Sequence, residues 1–184
     1  MSDYEPILSE ILARYSKSFS SKAYGGENSD VDVLMTVFGI SPELKRENRQ
    51  YWGRELGMCW QLLVRELFRQ TVKDYAPGLR IGADEPTDLM AGKDAIDTKY
   101  RIGSGDSGTL KKFKLYGELL RSEGYNPLVL ILREDNLPAA ITACKAGGWT
   151  VYTGEQTFNY IRQKSGVDLN SWLLSLGTKY NITR

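Results

Sequence analysis

The chain has 184 residues, 41% of them hydrophobic and 26% charged, with a formal net charge of +1. That length and balance describe one ordinary globular domain with enough apolar content for a core, and they exclude low-complexity and repeat architectures. There is no histidine. Its absence removes Ser-His-Asp and Cys-His hydrolases, His-ligated zinc enzymes and His-dependent nucleases, and leaves hydrolysis to carboxylates, lysine and a hard ion such as Mg²⁺.

The opening MSDYEPILSEIL lacks the basic-then-apolar layout of a signal peptide. Ile7, Leu8, Ile11, Leu12 and Tyr15 recur at helical spacing and predict an amphipathic helix over 5–16. A polar, glycine-containing loop follows over 20–30, then a short apolar segment, Val31 to Ile40, read as helical. Ser41-Pro42-Glu43 places a cap, a first-turn proline and an acid at the start of a helical pattern running to about Tyr75, with a break near 47–50. Ala76-Pro77-Gly78 is expected to stop it. Cys59 and Cys144 are isolated in apolar helical stretches and are expected to be reduced core thiols. With no apolar run near membrane-spanning length, the expected setting is the cytoplasm, with no membrane partner.

The period then changes. Pro86 to Met90 reads as extended, Ala91-Gly92-Lys93 as a turn, and Ala95 to Ile102 alternates. Ile96, Thr98, Tyr100 and Ile102 are placed on one face, and Ala95, Asp97, Lys99 and Arg101 on the other. The loop GSGDSG (103–108) leads into a helix over 109–122. PLVLIL (127–132) reads as a strand buried on both faces. A helix from Asn136-Leu137-Pro138 to Gly147-Gly148 follows, then the strand WTVYT (149–153), then helices over 155–164 and 169–176. The expected fold is α/β: a single-domain, mixed-sheet sandwich flanked by helices, antiparallel at first and ending in a right-handed parallel crossover. The expected division of 1–184 is a helical part over 1–45, a catalytic core over 46–153 and C-terminal helices over 154–184.

Phosphodiester hydrolysis needs a cation on the phosphate, an activated water and compensation for developing charge. Asp97-Thr98-Lys99 presents a carboxylate and an ammonium two residues apart on one strand. Asp88, on the partner strand of the hairpin, can converge with them. Mg²⁺ keeps several waters, so the two carboxylates of Asp88 and Asp97 suffice as its protein ligands. The plain alternative is a solvated strand face with a cross-strand ion pair.

These residues resemble the PD-(D/E)xK nuclease superfamily, in particular type II restriction endonucleases, over roughly residues 50 to 153. Thr87 directly precedes Asp88, with Pro86 one step further back, and the second acid is Asp. Asp84, Glu85 or Asp94 are alternatives for the first carboxylate. The resemblance implies a restriction-endonuclease-like core with extra N-terminal helices. It also implies Mg²⁺-dependent cleavage of double-stranded DNA to 5′-phosphate and 3′-hydroxyl ends, by a homodimer matched to palindromic sites. It implies a further glutamate from the helix before the hairpin, Glu55 or Glu66. Glu55 is favoured for its place near an apolar face, against a surface glutamate paired with Arg54 or Lys45. Alternatives are another nuclease of the superfamily (a junction resolvase or repair nicking enzyme) or a non-catalytic DNA-binding protein.

Between Lys93 and Arg121, seven basic residues face four acidic ones, a local +3. Arg101, Ser104, Ser107, Lys111, Lys112 and Lys114 are candidates for contacting DNA phosphates, with a plain loop and solvated helix face as the alternative. Arg133, Glu134, Asp135 and Asn136 follow a buried strand and are candidate base readers. The alternative for Asp135 or Asn136 is a helix N-cap.

Overall fold

The computed structural model describes residues 5–20, 26–103, 105 and 107–182. Side-chain caps set where the early helices begin. Helix α1 spans Glu5–Ser20, one turn longer than its apolar spacing predicts. For α2 (Val33–Phe38), Oδ1 of Asp32 accepts from the backbone N of Leu34 and of Met35, each at 3.1 Å. Ser41 caps α3 (Pro42–Glu47), with proline at its first position. The expected break falls at Asn48, whose side chain caps the long helix α4 (Arg49–Thr71).

Five strands form one sheet in the order of the chain: β1 (Tyr75–Pro77), β2 (Leu89–Ala91), β3 (Asp94–Lys99), β4 (Asn126–Ile131) and β5 (Thr150–Thr153). The first three pair antiparallel, and β3, β4 and β5 pair parallel. The mixed sheet is as expected, but β1 is not: Ala76-Pro77 was read as a helix stop and lies in a strand. Pro77 is tolerated because β1 is an edge strand, where one backbone side needs no ladder donor. Beyond it a Cβ on Gly78 would fall 1.9 Å from the Thr87 carbonyl oxygen. Only glycine lets the chain pass that close to the start of β2.

The β2–β3 hairpin closes through Gly92 and Lys93, with Ala91 paired to Asp94. Gly92 has φ 61° and Lys93 a negative φ, the sign pattern of a type II′ turn, whose twist suits flanking strands. This tight turn fixes register, and register decides which side chains share a face.

Helix α5 (Ser107–Ser122) carries the chain from β3 to β4, and α6 (Pro138–Ala146) from β4 to β5. Both cover one sheet face: Phe113, Leu120, Ala140, Cys144 and Trp149 pack on Ala95, Val129 and Ile131. Helices α4, α2, α7 (Glu155–Ser165) and α8 (Leu169–Ser175) cover the other. There Leu34, Trp60, Phe68, Ile161 and Leu173 pack on Ile96, Leu128 and Leu130. The result is three layers, α/β/α. Strand β3 is buried on both faces as well as β4, so its alternation separates two cores rather than core from solvent. Ile102 is a correction. It packs in the α5/α6 core rather than beside Ile96 and Tyr100, because the chain leaves the strand after Lys99 and the two-residue period no longer applies. Among the described residues no helix is long and apolar enough to cross a membrane.

Candidate active site

The hairpin register places Asp88 opposite Asp97, one step beyond the Leu89–Ile96 pair, with the Asp88 backbone N bonded to the Ile96 carbonyl at 2.8 Å. There the β2 backbone turns away and the Asp88 carboxylate continues the ladder. Its Oδ2 accepts from the Thr98 backbone N at 2.7 Å and from the Thr98 hydroxyl at 2.5 Å. From the α4 layer the Gln61 side-chain amide donates to Asp88 Oδ1. Thus Asp88 is held by three donors, two on β3 and one on α4.

Asp97 is only 6% exposed and points into the α5/α6 layer. Lys99 Nζ donates to its Oδ1 at 2.6 Å, and 38% of the Lys99 side chain remains exposed. Burial pushes the Asp97 carboxyl up to about 6. The Lys99 ammonium opposes that rise, and the Asp88 carboxylate adds to it. Burial works against the Lys99 charge, but Asp97 and Asp88 outweigh it and hold the ammonium above the usual lysine range. Two acids sharing one ammonium leave a net charge of −1. Either a bound cation or a proton would relieve that charge.

Asp97 and Lys99 open on a cleft of about 200 Å³, bordered by Asp84, Glu85, Lys112 and Tyr116 among others. Asp84 accepts from Lys112 Nζ at 3.1 Å and from the Tyr116 hydroxyl. It therefore belongs to the wall of the cleft rather than replacing Asp88. Glu85 borders the cleft but pairs with Arg80 at 2.6 Å, and Asp94 pairs with Lys164 at 2.6 Å and Tyr160 at 2.8 Å. Of the alternatives for the first carboxylate, Asp88 is the one that meets Asp97.

Glu55 is corrected. It is exposed, pairs with Arg54 at 2.9 Å and lines an apolar groove on α4 rather than the cleft. Glu66 is exposed too and pairs with Arg69 at 2.6 Å. The α4 residue that reaches the cluster is Gln61. It lies six residues after Glu55, on a helix face some 120° away at about 100° per residue. Its position in the middle of an amphipathic helix is the only sequence signal for it.

The candidate DNA contacts divide sharply. Lys111 and Lys114 are exposed on α5, Lys112 is exposed but engaged by Asp84, and Glu134 is exposed in the loop after β4. Ser104 lies outside the described residues, and nothing is described of the Ser107 side chain. Arg101, Arg133, Asp135 and Asn136 are corrected from surface to interior roles. Arg133 is 4% exposed; it donates to Asp32 Oδ2 at 2.9 Å, to Asp135 Oδ1 at 2.8 Å and to the Asp30 carbonyl at 2.9 Å. Arg101 Nε donates to the Asp135 carbonyl at 2.9 Å. Asn136 accepts from the Ile102 backbone N at 2.8 Å and donates to the Arg133 carbonyl at 2.7 Å. Neither Asp135 nor Asn136 caps α6, whose cap position is Leu137.

These bonds belong to a second polar cluster. The Tyr100 hydroxyl donates to Asp32 Oδ2, Lys45 Nζ donates to the Tyr100 oxygen at 2.6 Å, and Lys45 pairs with Glu27. Three cations (Arg133, Lys45, Arg101) meet three acids (Asp32, Asp135, Glu27). The cluster pins the segment before α2 onto the ends of β3 and β4, and the sequence reading missed it.

Among the described residues no group of three or more Asp, Glu, Cys or His side chains is arranged to hold a metal ion. The Asp88/Asp97 pair offers two carboxylates. A carboxylate accepts about four hydrogen bonds, and three reach Asp88 and one reaches Asp97. Lone pairs therefore remain on both. No family model, curated protein or solved structure matches the chain.

Proposed function

We propose that the chain is a Mg²⁺-dependent DNA endonuclease of the PD-(D/E)xK kind, with a restriction-endonuclease-like core formed by α4, the β2–β3 hairpin, α5 and β4. The observation that carries this reading is the convergence of Asp88 on the Asp97–Lys99 pair, which opens on the cleft, with acid in excess and part of the lysine open to solvent. Two carboxylates with free lone pairs suit a small hard cation that retains waters. Asp88 and Asp97 would hold it, and when bound it would polarise the phosphate and acidify a water. Lys99, beside the two acids, would orient the attacking water and offset charge on the phosphate. Lys111 and Lys114 on α5 supply exposed positive charge for the backbone of a duplex.

The favoured activity is that of a type II restriction endonuclease acting as a homodimer in the cytoplasm, leaving 5′-phosphate and 3′-hydroxyl ends. One observation favours a second reading, a nuclease selecting branched or damaged DNA: Arg133, Asp135 and Asn136, the side chains best suited to read bases, are used inside the protein. Incubation with plasmid and Mg²⁺ separates the two. Fragments with fixed ends support restriction, and cutting confined to branched or mismatched substrates supports the second reading. If intact DNA of many sequences and branched DNA all survive, the nuclease reading fails.

A further inference from the structure

The chemistry proposed for Asp97 and Lys99 uses polar groups, yet much of the cleft they open on is apolar. One wall comes from the loop over 79–87 and another from α5. Pro86 of the loop and Tyr116 of α5 are half-buried, and Phe113 and Trp149, both buried, add to the same lining. The two walls are tied together, because Asp84 of the loop accepts from Lys112 Nζ at 3.1 Å and from the Tyr116 hydroxyl. The loop is pinned at its base by the Leu79 backbone N, which donates to the Thr87 hydroxyl at 2.9 Å, and higher up by the paired backbone bonds of Ile81 and Asp84. Trp149 is fixed as well. Its Nε1 donates to the Phe113 carbonyl at 2.7 Å, and its ring meets the Phe113 ring edge-on at 6.3 Å. The shape of the cleft is therefore set before anything binds, which lowers the ordering cost of a ligand.

At about 200 Å³ the cleft is smaller than the roughly 300–1,000 Å³ of drug-sized sites. It admits one planar ring system and excludes a duplex. Only 9% of the Asp97 side chain is exposed, so a phosphate meets it from within the cleft. We propose that the cleft takes one unstacked nucleotide of the substrate strand, its base against Pro86, Phe113, Tyr116 and Trp149 and its phosphate toward Asp97 and Lys99. The proposal deepens the nuclease reading and rests on it for the identity of the strand. Contacts to phosphate and sugar are polar. A wall of proline and aromatic carbon does nothing for a phosphate, whereas it suits the flat face of a base. The base reaches the wall by either of two routes. It is drawn out of a duplex beside the scissile phosphate, or it is already free in branched or damaged DNA, where unstacking costs less.

Calorimetry on the full chain with Mg²⁺ tests it, comparing deoxyadenosine 5′-monophosphate with deoxyribose 5-phosphate, which lacks the base. The base is expected to raise affinity about 10-fold or more. Tyr116→Phe keeps the ring and should keep that gain. Tyr116→Ala, checked for native circular dichroism, should cut the gain to under about threefold. Equal affinity of the two compounds for the wild type, or no binding of the nucleotide at about 10 mM, overturns the proposal. A gain that survives Tyr116→Ala overturns it too, by placing the base elsewhere. The plasmid and branched-DNA digests keep the two claims apart. DNA cut by a protein that ignores the base sinks the base site and leaves the nuclease reading. A base-dependent gain, lost in Tyr116→Ala, in a protein that cuts no DNA does the reverse.

Discussion

Two polar clusters share strand β3, and their contrast separates a site from a scaffold. Asp88, Asp97 and Lys99 carry two acids against one cation, and Asp97 and Lys99 open on a cleft. The Arg133 cluster carries three of each, and the side chains of Arg133 and Lys45 are 3% and 5% exposed. Both are rich in charge, so charge content alone does not mark function. What differs is the remainder. Arg133 spends its donors on Asp32, Asp135, Asp30 and Asn28, whereas the acidic pair keeps lone pairs and a surplus of negative charge. A balanced, buried network fixes one arrangement. An unbalanced, accessible one invites a ligand.

The largest expected effect lies on the closed side. Arg133→Ala leaves Asp32 without its cation and Asp135 with Arg101 alone, and costs about 3–5 kcal/mol in denaturant unfolding. A loss under about 1 kcal/mol would show that water replaces the guanidinium and that the cluster is not closed.

On the open side the pH dependence has the opposite sense from an ordinary ion-paired acid. Asp97 rises from 3.8 to about 6 on folding, so its contribution to stability is present below pH 4 and is lost as pH climbs through 6. Without divalent ions, Asp97→Asn should gain on the wild type by up to roughly 3 kcal/mol between pH 4 and pH 7, the difference being read from paired unfolding curves. Asp135 is held below the usual carboxylate range despite burial, chiefly by Arg133. Its stabilisation is present above pH 4 and lost as pH falls below that. Taking the difference between the two proteins cancels it.

Gln61→Ala should cost less. It removes one of three donors to Asp88 and is expected to weaken divalent-ion binding about 10-fold, measured by calorimetry. The smallest effect is Glu55→Ala, within about 0.5 kcal/mol in stability and without change in ion affinity. A loss of ion affinity with Glu55→Ala would move α4's contribution away from Gln61.

Periodicity reached the parts of this fold that obey one period. The alternation of Ala95 to Lys99 and the two-residue turn at Gly92 put Asp97 and Lys99 on one face and Asp88 opposite. It failed where a tertiary contact overrides the local pattern. The three residues of β1 are too few to show alternation, and Pro77 disguises an edge strand as a stop. Gln61 is polar on a half-polar helix, and its partner is 27 positions away. Arg133 resembles a loop residue because its acceptors on 28–32 lie about 100 positions earlier. One oxygen of Asp32 caps α2 locally, and the other reaches Arg133 about 100 positions later, a contact that no local pattern carries.

The central claim, that Asp88 and Asp97 form an open cation site, is tested most directly by the thermal stability of wild type and Asp97→Asn as Mg²⁺ is titrated at pH 7.5. Mg²⁺ should raise the wild-type melting temperature in a saturable way, corresponding to about 2.7 kcal/mol at one hundred times the dissociation constant, and leave Asp97→Asn unmoved. Equal shifts in both proteins, or none in either, would contradict it.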